Sequence, residues 1–268
     1  MSIIGVIGAG NMASAIVDSS INCGFLTPSE VMTYDVDPDK LSSMKAKGIA
    51  GVDSISDLVK TCKYILLSVK PQVVPQVLPE IGSHMSDDSV VISIAAGISA
   101  QFIRDGLGKT DAKIILVMPN TPIMVGEGAA AYCCTSNVNY EEKTFGKGLF
   151  GASGTVEEIS SDRMNEVIAV HGSTPAYIYL ITKYFCEYAA AHGIPMDVAN
   201  RLFCQTLIGS AKMMTETGQS HDQLIEMVTS PGGTTLSGLN SLKDSDLCKT
   251  IHDCCDATVK RAYELGAK

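Results

Sequence analysis

A glycine-rich turn near the start of the chain joins a short run of isoleucine and valine to a segment whose apolar residues recur at helical spacing. The turn reads Gly8-Ala9-Gly10-Asn11-Met12-Ala13 and follows Ile3–Ile7 directly. Gly8 permits a tight turn, Gly10 lets a pyrophosphate approach the backbone, and the small Ala13 lets helix and strand pack closely. The start of the helix adds unpaired N–H groups for the anion. This order of strand, Gly-x-Gly-x-x-Ala turn and helix predicts a dinucleotide-binding site over residues 8–13; a plain glycine turn between two core elements is the alternative.

Length and charge exclude several classes of partner. The 268 residues suit one large domain or two moderate ones, and the net charge is −9. No run of basic residues exceeds two, so we expect neither nucleic acid nor an anionic membrane surface as a partner. The longest uncharged apolar runs, near Val90–Ile98 and Ala176–Thr182, are too short to span a bilayer.

Cysteine and histidine usage favours a cytoplasmic protein without a metal site. The nine cysteines are an odd number with no Cys-x-x-Cys pair, which indicates reduced thiols in the cytosol. No basic stretch followed by an apolar one precedes the glycine turn, so we expect no targeting leader. The five histidines stand apart from any cluster with ligand spacing, and we therefore expect no metal.

The second predicted strand, Val31–Asp35, ends on a carboxylate. Asp35 lies about 20 residues beyond the glycine turn, where an acidic residue accepts hydrogen bonds from the adenosine ribose. Asp37 follows, and the nearest cation is Lys40. A 2′-phosphate would meet two carboxylates there without an arginine, which costs electrostatic energy, so these residues favour NADH over NADPH. The segment Asp37-Pro38-Asp39 is explained equally well as a turn and helix cap.

Three predicted strands end in small, polar or proline residues. The strands are Tyr64–Val69, Ser89–Ile94 and Lys113–Met118. They are followed by Lys70-Pro71, by Ala95-Ala96-Gly97 and by Pro119-Asn120-Thr121-Pro122. Because the carboxyl ends of parallel strands line the ligand crevice, we expect Lys70 and Asn120 to meet the cofactor there, and the small residues to let a flat nicotinamide ring approach. A surface lysine closing a strand is the alternative for Lys70.

The rest of the chain completes a sheet and then becomes helical. Gly128–Cys134, a helix near Glu141–Phe150 and Thr155–Ile159 indicate a further strand, helix and strand. Beyond Arg163 helical periodicity dominates. We therefore predict an α/β domain with a doubly wound, mostly parallel sheet over residues 1–161, and an all-α domain over residues 162–268. The apolar content of the helical domain indicates self-association.

A second glycine turn lies in the C-terminal half. It reads Ser230-Pro231-Gly232-Gly233-Thr234-Thr235, in which Ser230 suits a helix cap and the glycines expose successive backbone N–H groups. These groups suit a small carboxylate, and the threonine hydroxyls can bond a neighbouring polar atom. A well-capped turn between two helices is the alternative. His171 also has two interpretations, since a histidine near a helix kink is either a satisfied structural residue or an acid.

Six motifs follow one another over essentially the whole chain. They are IGAGNMA at Ile7–Ala13, SVKP at Ser68–Pro71, SIAAG at Ser93–Gly97, MPNTP at Met118–Pro122, GSTPAY at Gly172–Tyr177 and SPGGTT at Ser230–Thr235. Many dehydrogenases share the first motif. The last three, in this order, are highly specific, and through them the chain resembles the pyrroline-5-carboxylate reductase family, which makes proline.

The resemblance implies a Rossmann domain followed by a helical domain that interlocks into a homodimer, often within larger rings. It also implies that a cyclic imine acid is reduced by hydride transfer from NAD(P)H, giving L-proline in the last step of its biosynthesis. The family's cofactor residues correspond to residues 8–13, Val69, Lys70, Pro71, Ala95, Ala96 and Gly97. Its substrate site corresponds to Ser230, Gly232, Gly233, Thr234 and Thr235, facing the cofactor bound by the partner subunit. Thr235 matches the family's hydroxyl at the ring nitrogen and is the expected catalytic residue.

Four residues depart from the family pattern. Members commonly have Gly or Ser at Thr174 and Ser at His171, both beside the expected nicotinamide pocket. Either change could alter substrate choice or introduce a proton donor. Asp35 and Asp37 replace the neutral or basic residues of many members, which counts against a preference for NADPH.

Other functions stay open on the sequence alone. One is a reductase for a different cyclic imine acid. Another is a two-domain hydroxyacid dehydrogenase, which would use a lysine on the first long helix of the second domain; Lys183 lies there, but two turns beyond Pro175. A dinucleotide-binding sensor without turnover would need only the first glycine loop, so the retained SPGGTT turn favours an enzyme.

Overall fold

The computed structural model describes residues 3–266, which form two compact units. Residues 3–173 together with 257–266 make up the first unit, and residues 174–256 make up the second. The sequence predicts a domain boundary between residues 161 and 162, and this boundary stays a prediction. By their contacts, residues 162–173 and 257–266 group with the first unit.

The first unit is built around an eight-stranded sheet. Its strands are β1 (Ile4–Ile7), β2 (Val31–Tyr34), β3 (Ala50–Gly51), β4 (Tyr64–Leu67), β5 (Val90–Ser93), β6 (Lys113–Pro119), β7 (Gly128–Cys134) and β8 (Gly154–Glu158). They lie in the order β3-β2-β1-β4-β5-β6-β7-β8, and every neighbouring pair is parallel except β6 and β7. The predicted doubly wound, mostly parallel sheet is confirmed. β3 was not predicted, because a two-residue strand is too short to show a hydrophobic period.

Helices cover both faces of this sheet. They are α1 (Asn11–Asn22), α2 (Pro38–Ala46), α3 (Ile55–Thr61), α4 (Val74–His84), α5 (Ala100–Leu107) and α6 (Tyr140–Gly151). Successive strand residues face opposite sides, so Ile4 and Val6 share a core with Ile16 of α1, whereas Ile7 lies in the core that holds Leu78 of α4. Burial on both faces explains why β4 and β5 are continuous apolar runs.

Polar side chains fix where two of these helices begin. Asp37 Oδ1 accepts the Asp39 N–H at 3.0 Å and caps α2, so the cap interpretation of this segment is confirmed. Ser54 Oγ accepts the Asp57 N–H at 3.1 Å and caps α3.

The second unit is helical. Its helices are α7 (Thr174–Ala191), α8 (Met196–Glu216), α9 (His221–Met227), α10 (Thr234–Asp244) and α11 (Leu247–Gly266), of which α11 continues into the residues grouped with the first unit. A π-helical turn, Ile168–Gly172, precedes α7, and Pro175 lies in the first turn of α7, where proline is tolerated. Only Pro175 and Cys186 of α7 are buried, whereas Tyr184 and Tyr188 are exposed. Over the described residues beyond Arg163 the predicted helical structure is confirmed.

Three findings concern membrane crossing, metal binding and the state of the cysteines. Within residues 3–266, none of the helices combines the length and apolar character needed to cross a membrane. In that same range, no three histidine, cysteine, aspartate or glutamate side chains are grouped in a way that would hold a metal ion. All nine cysteines are free thiols.

Candidate cofactor and substrate sites

The glycine loop between β1 and α1 leaves the helix N-terminus open. Gly8 has a φ of +96°, and a Cβ there would lie 2.8 Å from the Ser68 carbonyl oxygen, so glycine is required where the loop passes the end of β4. Gly10 is the N-cap of α1 without a side-chain cap, and a Cβ on it would meet nothing within 4 Å. The first N–H groups of α1 are therefore uncapped beside open space, an arrangement that fits a pyrophosphate.

The Asp35 carboxylate, directly after β2, holds this glycine loop. Its Oδ2 accepts the Ala9 N–H at 2.7 Å, and its Oδ1 accepts the Asp37 N–H at 2.9 Å. Lys40 Nζ lies 3.8 Å from Asp35 Oδ2 and 3.5 Å from Asp37 Oδ2. Each Asp35 oxygen keeps a second lone pair for a ribose hydroxyl. The contact with Ala9 gives Asp35 a second role, which is to hold the loop. That role was not predicted, because no spacing rule pairs a carboxylate with that N–H.

The carboxyl ends of β4, β5 and β6 lie side by side, since these strands are parallel neighbours. Val69, Lys70 and Pro71 follow β4, Ala95, Ala96 and Gly97 follow β5, and Asn120 follows β6. Residues of three separate motifs are thus brought to one edge of the sheet, as expected from the sequence. A cavity of about 460 Å³ opens at the ends of β5 and β6, and Ser93, Ala95, Gly97, Met118 and Asn165 are among its lining residues.

The last turns of α11 pack against the loop that follows β5. A Cβ on Gly97, where φ is +76°, would lie 3.0 Å from the Ala262 carbonyl oxygen, so glycine lets the helix approach. The Tyr263 hydroxyl donates to Glu166 Oε1 at 2.8 Å. This hydrogen bond to a carboxylate is the main reason why the pKa of Tyr263 is raised. This position of the last turns of α11 beside the loop was not predicted from the sequence.

Asn120 and His171 are brought together at the end of β6. Asn120 Oδ1 accepts the Ala129 N–H at 2.9 Å, and Asn120 Nδ2 donates to the His171 carbonyl oxygen at 3.2 Å. The His171 ring places Nε2 2.7 Å from the Met118 carbonyl oxygen and Nδ1 3.0 Å from that of Val167. Of the two interpretations of His171, these contacts favour the structural one. They also show the Asn120 amide bonded to main-chain atoms of its own chain.

The second glycine turn opens α10 in the helical unit. Gly233 is the N-cap of α10 without a side-chain cap, and its N–H donates to the Ser230 carbonyl oxygen at 2.9 Å. Thr234 and Thr235 form the first turn of the helix, and both are exposed. The turn therefore presents uncapped N–H groups and two hydroxyls together, which suits a small carboxylate that carries a neighbouring polar atom.

Comparison with known proteins gives two matches to family models. The model described as pyrroline-5-carboxylate reductase dimerisation matches residues 161–265. The model described as NADP oxidoreductase coenzyme F420-dependent matches residues 3–97. One match therefore covers most of the helical part of the chain, and the other covers the glycine loop and the first strand ends.

Individual relatives match over nearly the whole chain. The pyrroline-5-carboxylate reductase of Pisum sativum is 33% identical over 263 residues, covering 98% of this chain and 96% of its own. That of Escherichia coli K12 is 33% identical over 264 residues, covering 98% of each. Among solved structures, the Coxiella burnetii pyrroline-5-carboxylate reductase has a TM-score of 0.91 at 34% identity, covering 98% of each chain. The Plasmodium falciparum pyrroline carboxylate reductase, solved with NADP bound, has a TM-score of 0.90 at 29% identity, covering 99% of this chain and 98% of its own. This chain belongs to the pyrroline-5-carboxylate reductase family.

Proposed function

We propose that this protein reduces pyrroline-5-carboxylate to L-proline, the last step of proline biosynthesis, and that it uses NADH in preference to NADPH. The observation that carries the proposal is the pair of uncapped helix N-termini, one at each glycine turn. The first suits the pyrophosphate of a dinucleotide, and the second suits the single carboxylate of a small acid. A dinucleotide-binding sensor would need only the first.

The cofactor site is assigned to the glycine loop and the strand edge. The N–H groups at the start of α1 would hold the pyrophosphate, and residues 95–97 would lie against the nicotinamide. Bound NAD(P)H supplies a hydride to the imine carbon, and the imine nitrogen takes up a proton, so that the C=N bond becomes C–N and the dinucleotide is oxidised. The task of this chain is to orient the two partners and to exclude water.

The substrate site is assigned to the turn at the start of α10. The uncapped N–H groups of Thr234 and Thr235 at the start of α10 would hold the carboxylate, with the Gly232 N–H and the Ser230 and Thr234 hydroxyls beside them. Thr235, in the first turn and exposed, would hydrogen-bond the ring nitrogen. A hydrogen bond at that nitrogen orients the C=N bond and supports the protonated iminium, which accepts hydride more readily.

The preference for NADH rests on charge near the end of β2. Asp35 and Asp37 lie there with one cation, Lys40, between their carboxylates. A 2′-phosphate would be repelled by two carboxylates and attracted by a lysine that already pairs with both. A ribose hydroxyl would instead find free acceptor lone pairs on Asp35.

We further propose that the protein works as a homodimer or larger homo-oligomer in the cytoplasm. The exposed aromatic and aliphatic side chains of α7 are the apolar area that a second copy would cover, and they include Tyr179, Leu180, Tyr184, Phe185 and Tyr188. Nine free cysteines suit a reducing compartment.

The hydroxyacid dehydrogenase alternative gains no support from Lys183, whose Nζ lies 3.6 Å from the Glu187 carboxylate on the same helix.

The decisive experiment follows the absorbance of NADH, and then of NADPH, with purified protein and pyrroline-5-carboxylate. Rapid oxidation with NADH favoured is the expected result. Turnover with NADPH alone would keep the reductase but contradict the roles given to Asp35 and Asp37. Binding of either dinucleotide without turnover would contradict the substrate, and other cyclic imine acids would be the next substrates to test.

A further inference from the structure

The last residues of β6 have a neighbouring strand on one side only. Pairing with β5 ends where Leu116 meets Ser93, whereas pairing with β7 continues to Pro119. The segment Val117–Pro119 therefore extends past the end of β5, at the edge where the proposed nicotinamide site lies. A strand end held from one side needs further contacts to keep a fixed position.

Reciprocal hydrogen bonds supply those contacts. The Asn120 side chain, directly after β6, donates to the main chain of His171 at 3.2 Å. The His171 side chain in turn reaches the main chain of β6, with Nε2 2.7 Å from the Met118 carbonyl oxygen. Asn120 is itself fixed to β7, because its Oδ1 accepts the Ala129 N–H at 2.9 Å. The π-helical turn Ile168–Gly172 and the end of β6 are thus joined from both directions.

The His171 ring is committed to the main chain. Both nitrogens face carbonyl oxygens, which only accept hydrogen bonds, and the contact of Nε2 with Met118 is the shorter. A ring nitrogen bonds a carbonyl oxygen only by donating its own N–H, so the contact with Met118 is a hydrogen bond in the tautomer that carries the proton on Nε2. Neither nitrogen is left to deliver a proton to a substrate, so a role in the reaction has to act through the strand that the ring holds.

We propose that His171 is a positioning residue that holds the end of β6, with Asn120, in the place that the nicotinamide half of the cofactor requires; this rests on the proposed reductase function. The glycine loop and the end of β2, which would bind the adenosine and pyrophosphate half, lie on other strands. Loss of the ring should therefore slow hydride transfer more than it weakens dinucleotide binding.

The test compares three variants of the full-length protein. His171→Leu removes the hydrogen bonds of the ring, and His171→Gln keeps an amide N–H that can reach the Met118 carbonyl. Thr135→Val is the matched control, because Thr135 Oγ1 accepts the Ile114 N–H at 3.0 Å and so holds the opposite end of the same strand. The measurements are kcat, the Kd for NADH from its fluorescence, and Tm.

We expect His171→Leu to lower kcat about tenfold, since small displacements of reacting groups are costly. The Kd for NADH should stay within about twofold of that of the unmodified protein, as for a residue that acts on the chemical step. His171→Gln should recover most of the lost rate, and Thr135→Val should lower Tm without lowering kcat. An unchanged kcat in His171→Leu, or an equal fall in Thr135→Val, would overturn the proposal.

Amide hydrogen exchange keeps this test separate from the proposed function. If the unmodified protein does not reduce pyrroline-5-carboxylate, the function fails, but the hydrogen bonds at β6 can still be tested. Exchange over residues 117–130 should be faster in His171→Leu than in Thr135→Val. Equal exchange in the two variants would show that His171 does not hold this segment.

Discussion

The Asp35 carboxylate and the Ala9 main-chain N–H, 26 residues apart in the chain, meet at 2.7 Å. One contact thus joins the end of β2 to the glycine loop after β1. The loop has to keep a left-handed residue, Gly8, and an uncapped helix start in place for an anion. A charge-assisted hydrogen bond to the loop backbone does this without occupying the N–H groups of α1.

Removing the Asp35 carboxylate should weaken binding of both dinucleotides. Asp35→Ala leaves the Ala9 N–H without its acceptor, and a hydrogen bond to a charged group contributes about 1.5–3 kcal/mol. We expect the KM for NADH to rise by roughly tenfold or more, at about tenfold per 1.4 kcal/mol, and the KM for NADPH to rise less, because the same change removes a carboxylate that opposes the 2′-phosphate. Asp35→Asn, which keeps an acceptor oxygen, is the control. A rise for NADH alone would indicate that Asp35 serves the ribose and not the loop.

Removing the Asp37 charge should improve the use of NADPH. Asp37→Ser keeps a cap for α2, since serine accepts the same N–H, but takes away one of the two carboxylates that oppose a 2′-phosphate. At high dielectric such a charge contributes about 1 kcal/mol, so the KM for NADPH should fall about fivefold. The KM for NADH should change little. Steady-state kinetics with each dinucleotide checks this, and an equal change for both would contradict the charge argument.

Thr235 should matter through its hydroxyl and not through its shape. Thr235→Val is nearly isosteric and removes the hydrogen bond proposed at the ring nitrogen, so kcat/KM should fall by about tenfold to a hundredfold. Thr235→Ser keeps the hydroxyl and should stay close to the unmodified protein. If Thr235→Val retained the unmodified kcat/KM, the role assigned to Thr235 would be wrong.

A buried carboxylate should make stability depend on acid pH. Glu142 accepts from Lys113 Nζ at 2.8 Å and from the Asn139 N–H at 3.0 Å, and Lys63 Nζ lies 3.4 Å away. Burial by itself would raise the pKa of Glu142, but the hydrogen bond from Lys113, that from Asn139 and the two lysine charges outweigh it and lower the pKa below 4.5.

The sign of the effect follows from that lowered pKa. The folded state binds the Glu142 proton less tightly than the unfolded chain, so the contribution is present above pH 4.5 and is lost as the pH falls through the folded pKa. Glu142→Gln should lower the free energy of unfolding at pH 7 by about 1–3 kcal/mol. It should also flatten the acid side of a plot of stability against pH. Denaturant titrations between acid and neutral pH measure both, and an unchanged acid slope would contradict the assignment.

Much of the fold could be predicted because its determinants are local. The continuous apolar runs of β4 and β5, the glycine turn after β1 and the change to helical spacing beyond Arg163 are all properties of neighbouring residues. The meeting of the strand-end motifs at one edge then follows from a general rule for parallel sheets. The antiparallel pairing of β6 with β7 also has a determinant along the chain, because the eight residues between the two strands are too few for the crossover that parallel strands need.

The sequence by itself determined the two-part architecture, the glycine loop and the helix-opening turn, because glycine conformation, helix caps and hydrophobic period depend on adjacent residues. Only the tertiary structure decided that Asp35 holds Ala9, that Gly97 receives the end of α11 and that His171 reaches Met118, 53 residues away. A side chain that bonds a distant main-chain atom is specified by where the strands and helices come to lie. Its partner therefore has no pattern along the chain that could reveal it.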